Sequence, residues 1–278
     1  MNTEIKIVAD SSADLTSFTG TDFASAPLKI ITSQNEYVDD KDLDVEGMVN
    51  ELIKYSGKSS TACPSPIDWL KAFGESKYIF CITITSALSG SHNAACIAKV
   101  DYEEQHPDRK VFVIDSLSTG PEMQLIIEKI NSYIKENKSF EEICNLITPY
   151  TKKTALIFML ESMRNLANNG RVSPITAKAA GLLGIRVVGK ASDKGQLEVL
   201  EKSRGEKKAL ISILSCMKKA GFTGGKVKIG HCLNIDGAEK LKSLISEEFK
   251  NTLIEIYNCR GLCSFYAEKG GLLVGFEC

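Results

Sequence analysis

A two-domain α/β protein is predicted by three properties of the sequence. Short apolar runs alternate with amphipathic stretches through the first half, as in parallel sheets covered by helices. The second half contains two apolar runs joined by Ser192-Asp-Lys-Gly195, which is typical of a β-hairpin. At 278 residues the chain is long for one compact core. We therefore expect an N-terminal parallel sheet with flanking helices over residues 1–153, and a C-terminal α+β domain with a mixed or antiparallel sheet over residues 154–278.

In the N-terminal half, strands are expected at the apolar runs 5–9, 26–31, 78–84 and 111–114. Helices are expected where apolar residues recur every three or four positions, at 45–55, 66–73, 89–101, 121–136 and 140–151. Polar turns follow three of these strands, at Asp10, at 85–91 and at Asp115. Because ligands of parallel sheets gather at the carboxyl ends of the strands, these turns are candidates for a binding site.

In the C-terminal half, the same reasoning predicts strands at 155–159, 185–190, 196–202, 226–232, 252–257 and 272–276. Helices are expected at 161–168, 204–220 and 236–249. A further helix is indicated by Ser173 and Pro174, which suit a helix cap and its first position. Three apolar stretches, 157–160, 179–185 and 272–276, are candidates to line a tunnel, although core packing is the default role of each residue.

Composition excludes several classes of protein. A formal net charge of −1 leaves no basic surface of the kind that nucleic-acid binding requires. The N-terminus lacks the order of a signal peptide, and no apolar run reaches membrane-spanning length. The nine cysteines are scattered without a Cys-x-x-Cys pair, so we expect reduced thiols in a cytoplasmic protein. Neither a metal nor another cofactor is expected.

The strongest candidate site is the turn after the strand at 78–84. It gathers Ser86, Ser89, Gly90 and Ser91 at the expected start of a helix, where unpaired amides and the helix dipole favour an anion. No Lys or Arg lies in this turn, so a small anionic group held by neutral donors is expected. A carboxylate fits at least as well as a phosphate.

Catalytic alternatives are weaker. A serine hydrolase would use Ser89 with His92 or His231, but the segment is not the Gly-x-Ser-x-Gly elbow. The segment 221–226 is one residue short of a P-loop and precedes a strand. Asp10 and Asp115 could bind a metal, yet carboxylates at strand ends more often cap the following turn.

Three other residues are singled out. Thr61 lies in a hydroxyl-bearing loop just before a helix start and could offer its side chain to a ligand. Arg171 follows a glycine in a loop, and Arg204 is placed at the start of a basic helix. Cationic side chains of this kind suit an acidic partner surface or an anionic head group.

Six segments in order resemble the DegV family over essentially the whole chain. They are Val8-Ala-Asp10-Ser11-Ser12-Ala-Asp14-Leu15, Ala26-Pro27-Leu28 with Tyr37-Val-Asp39, Thr61-x-x-Pro64-Ser65-Pro66, Ser86-x-Leu88-Ser89-Gly90-Ser91, Val113-Ile-Asp115-Ser116 and Asn169-Gly170-Arg171-Val-Ser173.

The resemblance implies a non-catalytic protein that holds one long-chain fatty acid between two domains and presents its carboxylate to a separate fatty-acid kinase. Carried over, the hydroxyls of Thr61 and Ser89 and the amides of the 89–91 turn would bind the carboxylate. Arg171 and Cys63 would lie near the head group, and Arg204 would belong to the surface that docks the partner.

The sequence departs from the family pattern at three places. Ser91-His92 stands where the family has Thr-Tyr, and Ala62 replaces a serine. The late His-x-Gly-Pro-Gly segment is Tyr266-Ala-Glu-Lys269-Gly270 here, so a phenol would have to replace the imidazole on the carboxylate. The alternatives are an enzyme that acts on acyl or phosphoryl groups through Ser89, and a regulatory module for another small acid.

Overall fold

The computed structural model describes residues 4–178 and 184–278, which fold around two principal sheets. The N-terminal elements are β1 (Ile5–Asp10), β2 (Asp22–Ala26), β3 (Lys29–Ile31), β4 (Glu36–Val38), α1 (Val45–Lys54), β5 (Ser60–Ala62), α2 (Pro66–Phe73), β6 (Tyr78–Thr83), α3 (Ser91–Gln105), β7 (Lys110–Asp115), α4 (Pro121–Lys135) and α5 (Phe140–Tyr150). The C-terminal elements are β8 (Thr154–Leu160), α6 (Arg164–Asn168), α7 (Pro174–Lys178), β9 (Ile185–Ala191), β10 (Leu197–Arg204), α8 (Glu206–Lys219), β11 (Gly225–His231), α9 (Ile235–Glu248), β12 (Thr252–Asn258), α10 (Gly261–Ala267) and β13 (Leu272–Glu277).

The first sheet has the strand order β2-β1-β6-β7, and all its strands are parallel, as predicted. One face is covered by α2 and α3, whose buried side chains include Trp69 and Phe73. The other face is covered by α4 and α5, through residues such as Ile126 and Ile143. Since the strands are parallel, the turns after β1, β6 and β7 meet at one edge of this sheet.

The second sheet has six strands in the order β10-β9-β8-β13-β11-β12 and is mixed, because β11 and β12 run parallel while the other neighbours run antiparallel. Helices α8 and α9 bury one face of it. The other face packs against α1, α6 and α10. The predicted fold class is confirmed, whereas the boundary between residues 153 and 154 stays a prediction.

Helix α4 connects the two sheets, since it packs on the first and also contacts β13, β11 and β8 of the second. A Cβ atom at Gly275 in β13 would lie only 2.7 Å from the backbone of Pro121 and Glu122 at the start of α4. This close approach therefore requires glycine and holds the two sheets at a fixed separation.

Local structure differs from prediction at several element boundaries. The predicted strand 26–31 is split into β2 and β3, because Pro27 between them has no amide to donate. The predicted helix 161–168 begins only at Arg164, and the helix predicted from Arg204 begins at Glu206, so that Arg204 ends β10 instead. Thr61 lies in a strand, β5, and not in a loop.

Two features were not predicted. Strands β4, β3 and β5 form a small antiparallel sheet, and α10 precedes the last strand. Most of the predicted tunnel stretch 179–185 falls outside the described residues. Within the described ranges, no helix has both the length and the apolar composition needed to cross a bilayer.

Candidate functional site

A cavity of about 790 Å³, counted to its opening into solvent, lies between the two sheets. One wall is formed by alternate residues of β8, namely Leu156, Phe158 and Leu160, together with Leu273 of the neighbouring β13. The residues between them in β8 point to the opposite face and pack with α8 and α9. The period-2 alternation of the strand thus divides its apolar side chains between the cavity and the core.

The opposite wall comes from the carboxyl edge of the parallel sheet and from α10. Most of the remaining lining residues also have apolar side chains, whereas Thr85, Ser118, Thr119 and Gln196 are polar. Those with apolar side chains are Leu28, Ile84, Leu88, Leu117, Leu166, Ala191, Leu197, Leu262, Cys263 and Ala267. A cavity lined in this way excludes a freely hydrated ligand and suits an extended hydrocarbon.

Four polar side chains lie together at one end of the cavity. The hydroxyl of Thr61 lies 2.8 Å from the phenol oxygen of Tyr266, and Ser89 and Arg171 line the same end. The Arg171 Nε donates to the carbonyl of Leu88 at 3.2 Å, and its Nη1 donates to the carbonyl of Asn169. None of the ion pairs among the described residues involves Arg171, so its charge is available to an anionic ligand.

Tyr266 carries a proton that it can donate. Burial raises its pKa above the usual value, and the Thr61 bond and the Arg171 charge only partly oppose this, so the phenol is protonated at neutral pH. Thr61 and Tyr266 together carry two O–H protons, and the bond between them uses one. At least one proton therefore remains for a ligand that enters the cavity.

The turn after β6 is arranged differently from the prediction. Ser89 lines the cavity, but Ser91 is completely buried and donates its hydroxyl to Oδ2 of Asp10 at 2.6 Å. The Ser91 amide donates to Oγ of Ser89 at 3.3 Å, so neither donor of Ser91 points to a ligand. Among the described residues, the amides of Ser89 and Gly90 donate no hydrogen bond, which leaves them as the open donors of the turn.

Asp10 explains why the turn has this shape. Its carboxylate also accepts the amide of Ile84 at 2.9 Å and the amide and hydroxyl of Ser12. Burial raises the pKa of Asp10, and these bonds oppose that shift. Asp115 similarly accepts the amide of Ser86 at 3.1 Å. Both strand-end carboxylates thus organise turns, and no cluster of metal-ligating side chains occurs in the part of the chain that is described.

Removing the Ser91 hydroxyl is expected to destabilise the protein, whereas removing that of Ser89 is not. Ser91→Ala leaves a buried carboxylate without one of its donors, which should lower the free energy of unfolding by about 1–2 kcal/mol. Ser89→Ala, at a half-buried position, should change it by less than about 0.5 kcal/mol. Urea unfolding of both variants measures the difference, and equal losses would contradict the assignment.

Two further predicted residues lie outside the cavity lining. Cys63 is exposed and adjoins Gly90, since a Cβ on that glycine would lie 3.2 Å from the sulfur. This places Cys63 at the rim of the polar end. Arg204 is exposed at the end of β10.

Helix α10 is held in place by two buried aspartates that sequence reasoning did not assign. Asp39 accepts the amides of Gly261 and Leu262 at 2.8 and 2.9 Å, and Asp14 accepts the amide of Arg260 at 2.7 Å. Both aspartates lie within motifs of the family resemblance, which was the one signal available. Since α10 carries Tyr266, these contacts fix the position of the phenol.

The histidines do not form a catalytic pair with Ser89. His92 Nδ1 lies 3.2 Å from the hydroxyl of Thr83, and its Nε2 lies 3.6 Å from the sulfur of Cys96. His231 is buried in β11, where Nδ1 accepts the amide of Asn234 at 3.3 Å. Neither ring lines the cavity.

Comparison with known proteins identifies the family. The family model described as an uncharacterised protein of the DegV family matches residues 4–277. The chain belongs to the DegV family. A DegV domain-containing protein from Streptococcus pneumoniae is 46% identical to this DegV protein over 276 residues, which cover 98% of each chain.

Two solved DegV structures are similar throughout. One is a DegV family protein from Eubacterium eligens loaded with heptadecanoic acid, with a TM-score of 0.96 and 44% identity over 98% of this chain and 99% of that chain. The other is the Fatty Acid Kinase (Fak) B3 protein from Streptococcus pneumoniae loaded with linoleic acid, with a TM-score of 0.96 and 45% identity over the same shares. The resemblance of the sequence motifs to the DegV family is therefore confirmed.

Proposed function

We propose that this protein binds one long-chain fatty acid, with the acyl chain in the cavity between the sheets and the carboxylate at the polar end. The observation that carries the proposal is a mostly apolar cavity at one end of which lie the hydroxyls of Thr61, Ser89 and Tyr266 and an arginine that has no counter-ion among the described residues. The similar proteins from Eubacterium eligens and Streptococcus pneumoniae, which were crystallised with fatty acids, support it.

The carboxylate is held by Thr61, Tyr266 and Ser89, and by the amides of Ser89 and Gly90. Arg171 supplies a positive charge nearby without leaving its backbone contacts. Ser91 keeps its bond to Asp10 and acts only through the turn it stabilises. In this arrangement Tyr266 replaces the histidine of the family pattern, with a phenol that donates one hydrogen bond.

The acyl chain supplies most of the binding free energy. Each buried methylene contributes about 0.8 kcal/mol, so a long chain outweighs a few polar contacts. The hydroxyls and amides offset the desolvation of one carboxylate and fix its orientation. A short-chain acid with the same head group should therefore bind far more weakly.

Lipid extraction tests the proposal directly. Purified protein is extracted with organic solvent, the lipid is identified by mass spectrometry, and delipidated protein is then titrated with a long-chain fatty acid. We expect about one fatty acid per chain. Correctly folded protein that yields no fatty acid and takes up none would refute the proposal.

The bound acid is presented to a fatty-acid kinase rather than transformed by this chain, and Arg204 belongs to the docking surface. This role is supported by similarity to the Fak B3 protein and by the exposure of Arg204 outside the cavity. We place the protein in the cytoplasm, because all nine cysteines are unpaired. We expect an Arg204→Glu variant to bind fatty acid as before but no longer to support acyl-phosphate formation by an added kinase.

The enzyme alternative makes a different prediction for Ser89. If Ser89 attacked an acyl group, turnover of an ester or acyl-phosphate would disappear in Ser89→Ala. Because neither histidine contacts Ser89, we expect no turnover in the wild type and only weakened fatty-acid binding in the variant.

A further inference from the structure

A second cavity adjoins the far end of the first. It has a volume of about 1440 Å³, counted to solvent, and shares three lining residues with the first cavity: Leu117, Leu156 and Ala191. These three apolar side chains form the partition between the two spaces. Whether this partition limits a bound acyl chain depends on how far it lies from the polar end of the first cavity.

Strand β8 gives the direction of the first cavity. Leu160 ends β8 shortly before α6, where the carbonyl of Leu166 accepts the amide of Arg171 at 2.8 Å, so this end of the strand lies toward the polar end, and Leu156 lies four residues back. At about 3.3 Å per residue, the partition is about 13 Å farther along the strand than Leu160. Ala191 stands across from Leu156, one residue beyond the paired Ile157 and Lys190. An acyl chain with its carboxylate at the polar end therefore points its terminal methyl at the partition.

Leu117 is held in the partition by its surroundings. Its backbone has φ of +53°, an unusual conformation for a leucine, and its amide donates to Oδ1 of Asp115 at 3.0 Å. The turn of the β9–β10 hairpin lies next to Leu117. Thr85 holds this turn in place by donating to the carbonyl of Gly195 at 2.9 Å. A Cβ on Gly195 would clash with Oγ1 of Thr85 and lie 3.2 Å from Cα of Leu117, so this close approach requires glycine.

The second cavity is chemically different from the first. Its lining is mixed: Lys152, Lys190 and Asp193 stand beside apolar residues such as Ile157, Leu200 and Ala220. Hydrocarbon that crossed the partition would meet these groups and the water around them. The change from a mostly apolar lining to one that includes charged side chains thus coincides with Leu117.

We propose that Leu117 sets the upper length of the acyl chain by closing the first cavity against the second. This inference rests on the proposed function. A chain that fills the first cavity ends at Leu117, and a longer chain must displace this side chain. Replacing Leu117 by a smaller residue opens the partition and lets longer chains extend into the second cavity.

The test offers delipidated protein an equimolar series of straight-chain saturated fatty acids that differ by two carbons. Bound acids are extracted and quantified by mass spectrometry. Leu117→Gly suits a backbone with positive φ, so the variant should fold. For each additional methylene that the partition admits, uptake relative to wild type should rise up to about fourfold.

Leu200→Ala is the matched control, compared with Leu117→Ala. Leu200 lines the second cavity alone and is 41% exposed, close to the 39% of Leu117. The control should keep the wild-type length profile, whereas Leu117→Ala shifts it toward longer acids. An unchanged profile in Leu117→Gly and Leu117→Ala proteins that do bind fatty acid would overturn the role of Leu117. Absence of fatty acid from every protein, wild type included, would instead refute the proposed function.

Discussion

The double variant Thr61→Val, Tyr266→Phe is expected to bind a long-chain fatty acid up to about 100-fold more weakly than the wild type. Both substitutions preserve the shape of the side chain and remove its hydroxyl. The Thr61–Tyr266 bond leaves one O–H proton of the pair for the carboxylate, and a hydrogen bond to a charged group contributes about 1.5–3 kcal/mol, so its loss corresponds to as much as about 3 kcal/mol. Titration of the delipidated proteins with a fluorescent fatty acid, competed by the unlabelled acid, measures the change.

Two controls separate the head group from the cavity. Thr119→Val also removes a hydroxyl from the cavity lining, but this hydroxyl bonds to the carbonyl of Ser12 at 3.4 Å, so affinity should stay within about threefold of the wild type. The methyl ester of the same acid lacks the charge, so the wild type should bind the acid more tightly than the ester. The double variant should lose most of this preference. If the double variant lost equal affinity for the acid and the ester, the carboxylate would have to bind away from Thr61 and Tyr266.

The meeting of three turns at one sheet edge could be predicted from sequence because it follows from local pattern and topology. Alternating strands and helices predict a parallel sheet, and parallel strands bring Asp10, the 85–91 turn and Asp115 together. Capping signals also acted locally, as at Ser65 and Pro66, where α2 begins as predicted. Such features depend on residues that are neighbours in the chain.

Which hydroxyl faces the ligand could not be predicted, because that depends on a distant partner. Ser89 and Ser91 are equivalent in local sequence, and only the bond from Ser91 to Asp10, 81 residues earlier, separates them. Helix α10 was missed for the same reason. Its N-terminal amides are capped by Asp39, more than 220 residues away, and its own sequence contains no capping residue.

The Tyr266 contact shows what the family pattern adds to physical reasoning. Spacing alone gives no reason to bring residue 266 near Thr61, 205 residues earlier. The family motif placed a ligand-binding side chain at this position, and the structure brings the phenol within hydrogen-bond distance of Thr61. Its action on a carboxylate remains the proposal that the double variant tests.

Asp14→Asn is expected to abolish a pH dependence of stability that amounts to about 4 kcal/mol in the wild type. Burial raises the pKa of Asp14 from 3.8 to about 7, and the bond from the Arg260 amide only partly offsets this. The folded protein thus keeps a proton that the unfolded chain releases near pH 4. The contribution of this proton to the free energy of unfolding is complete below about pH 4. It is lost as the pH rises through about 7, at 1.36 kcal/mol per pH unit.

Asparagine suits this position on two grounds. The residue has φ of +58°, a left-handed conformation that Asn adopts readily, and an amide oxygen can still accept the Arg260 amide.

Urea unfolding of both proteins between pH 4 and pH 8 should show the stability of the variant rising steadily relative to that of the wild type. Asp42→Asn, which replaces an exposed carboxylate, should give a flat difference over the same range. A flat difference for Asp14→Asn as well would mean that Asp14 folds as a carboxylate. The N-terminus of α10, and with it Tyr266, would then be held by Asp39 and an ionised Asp14 rather than by Asp39 and a protonated Asp14.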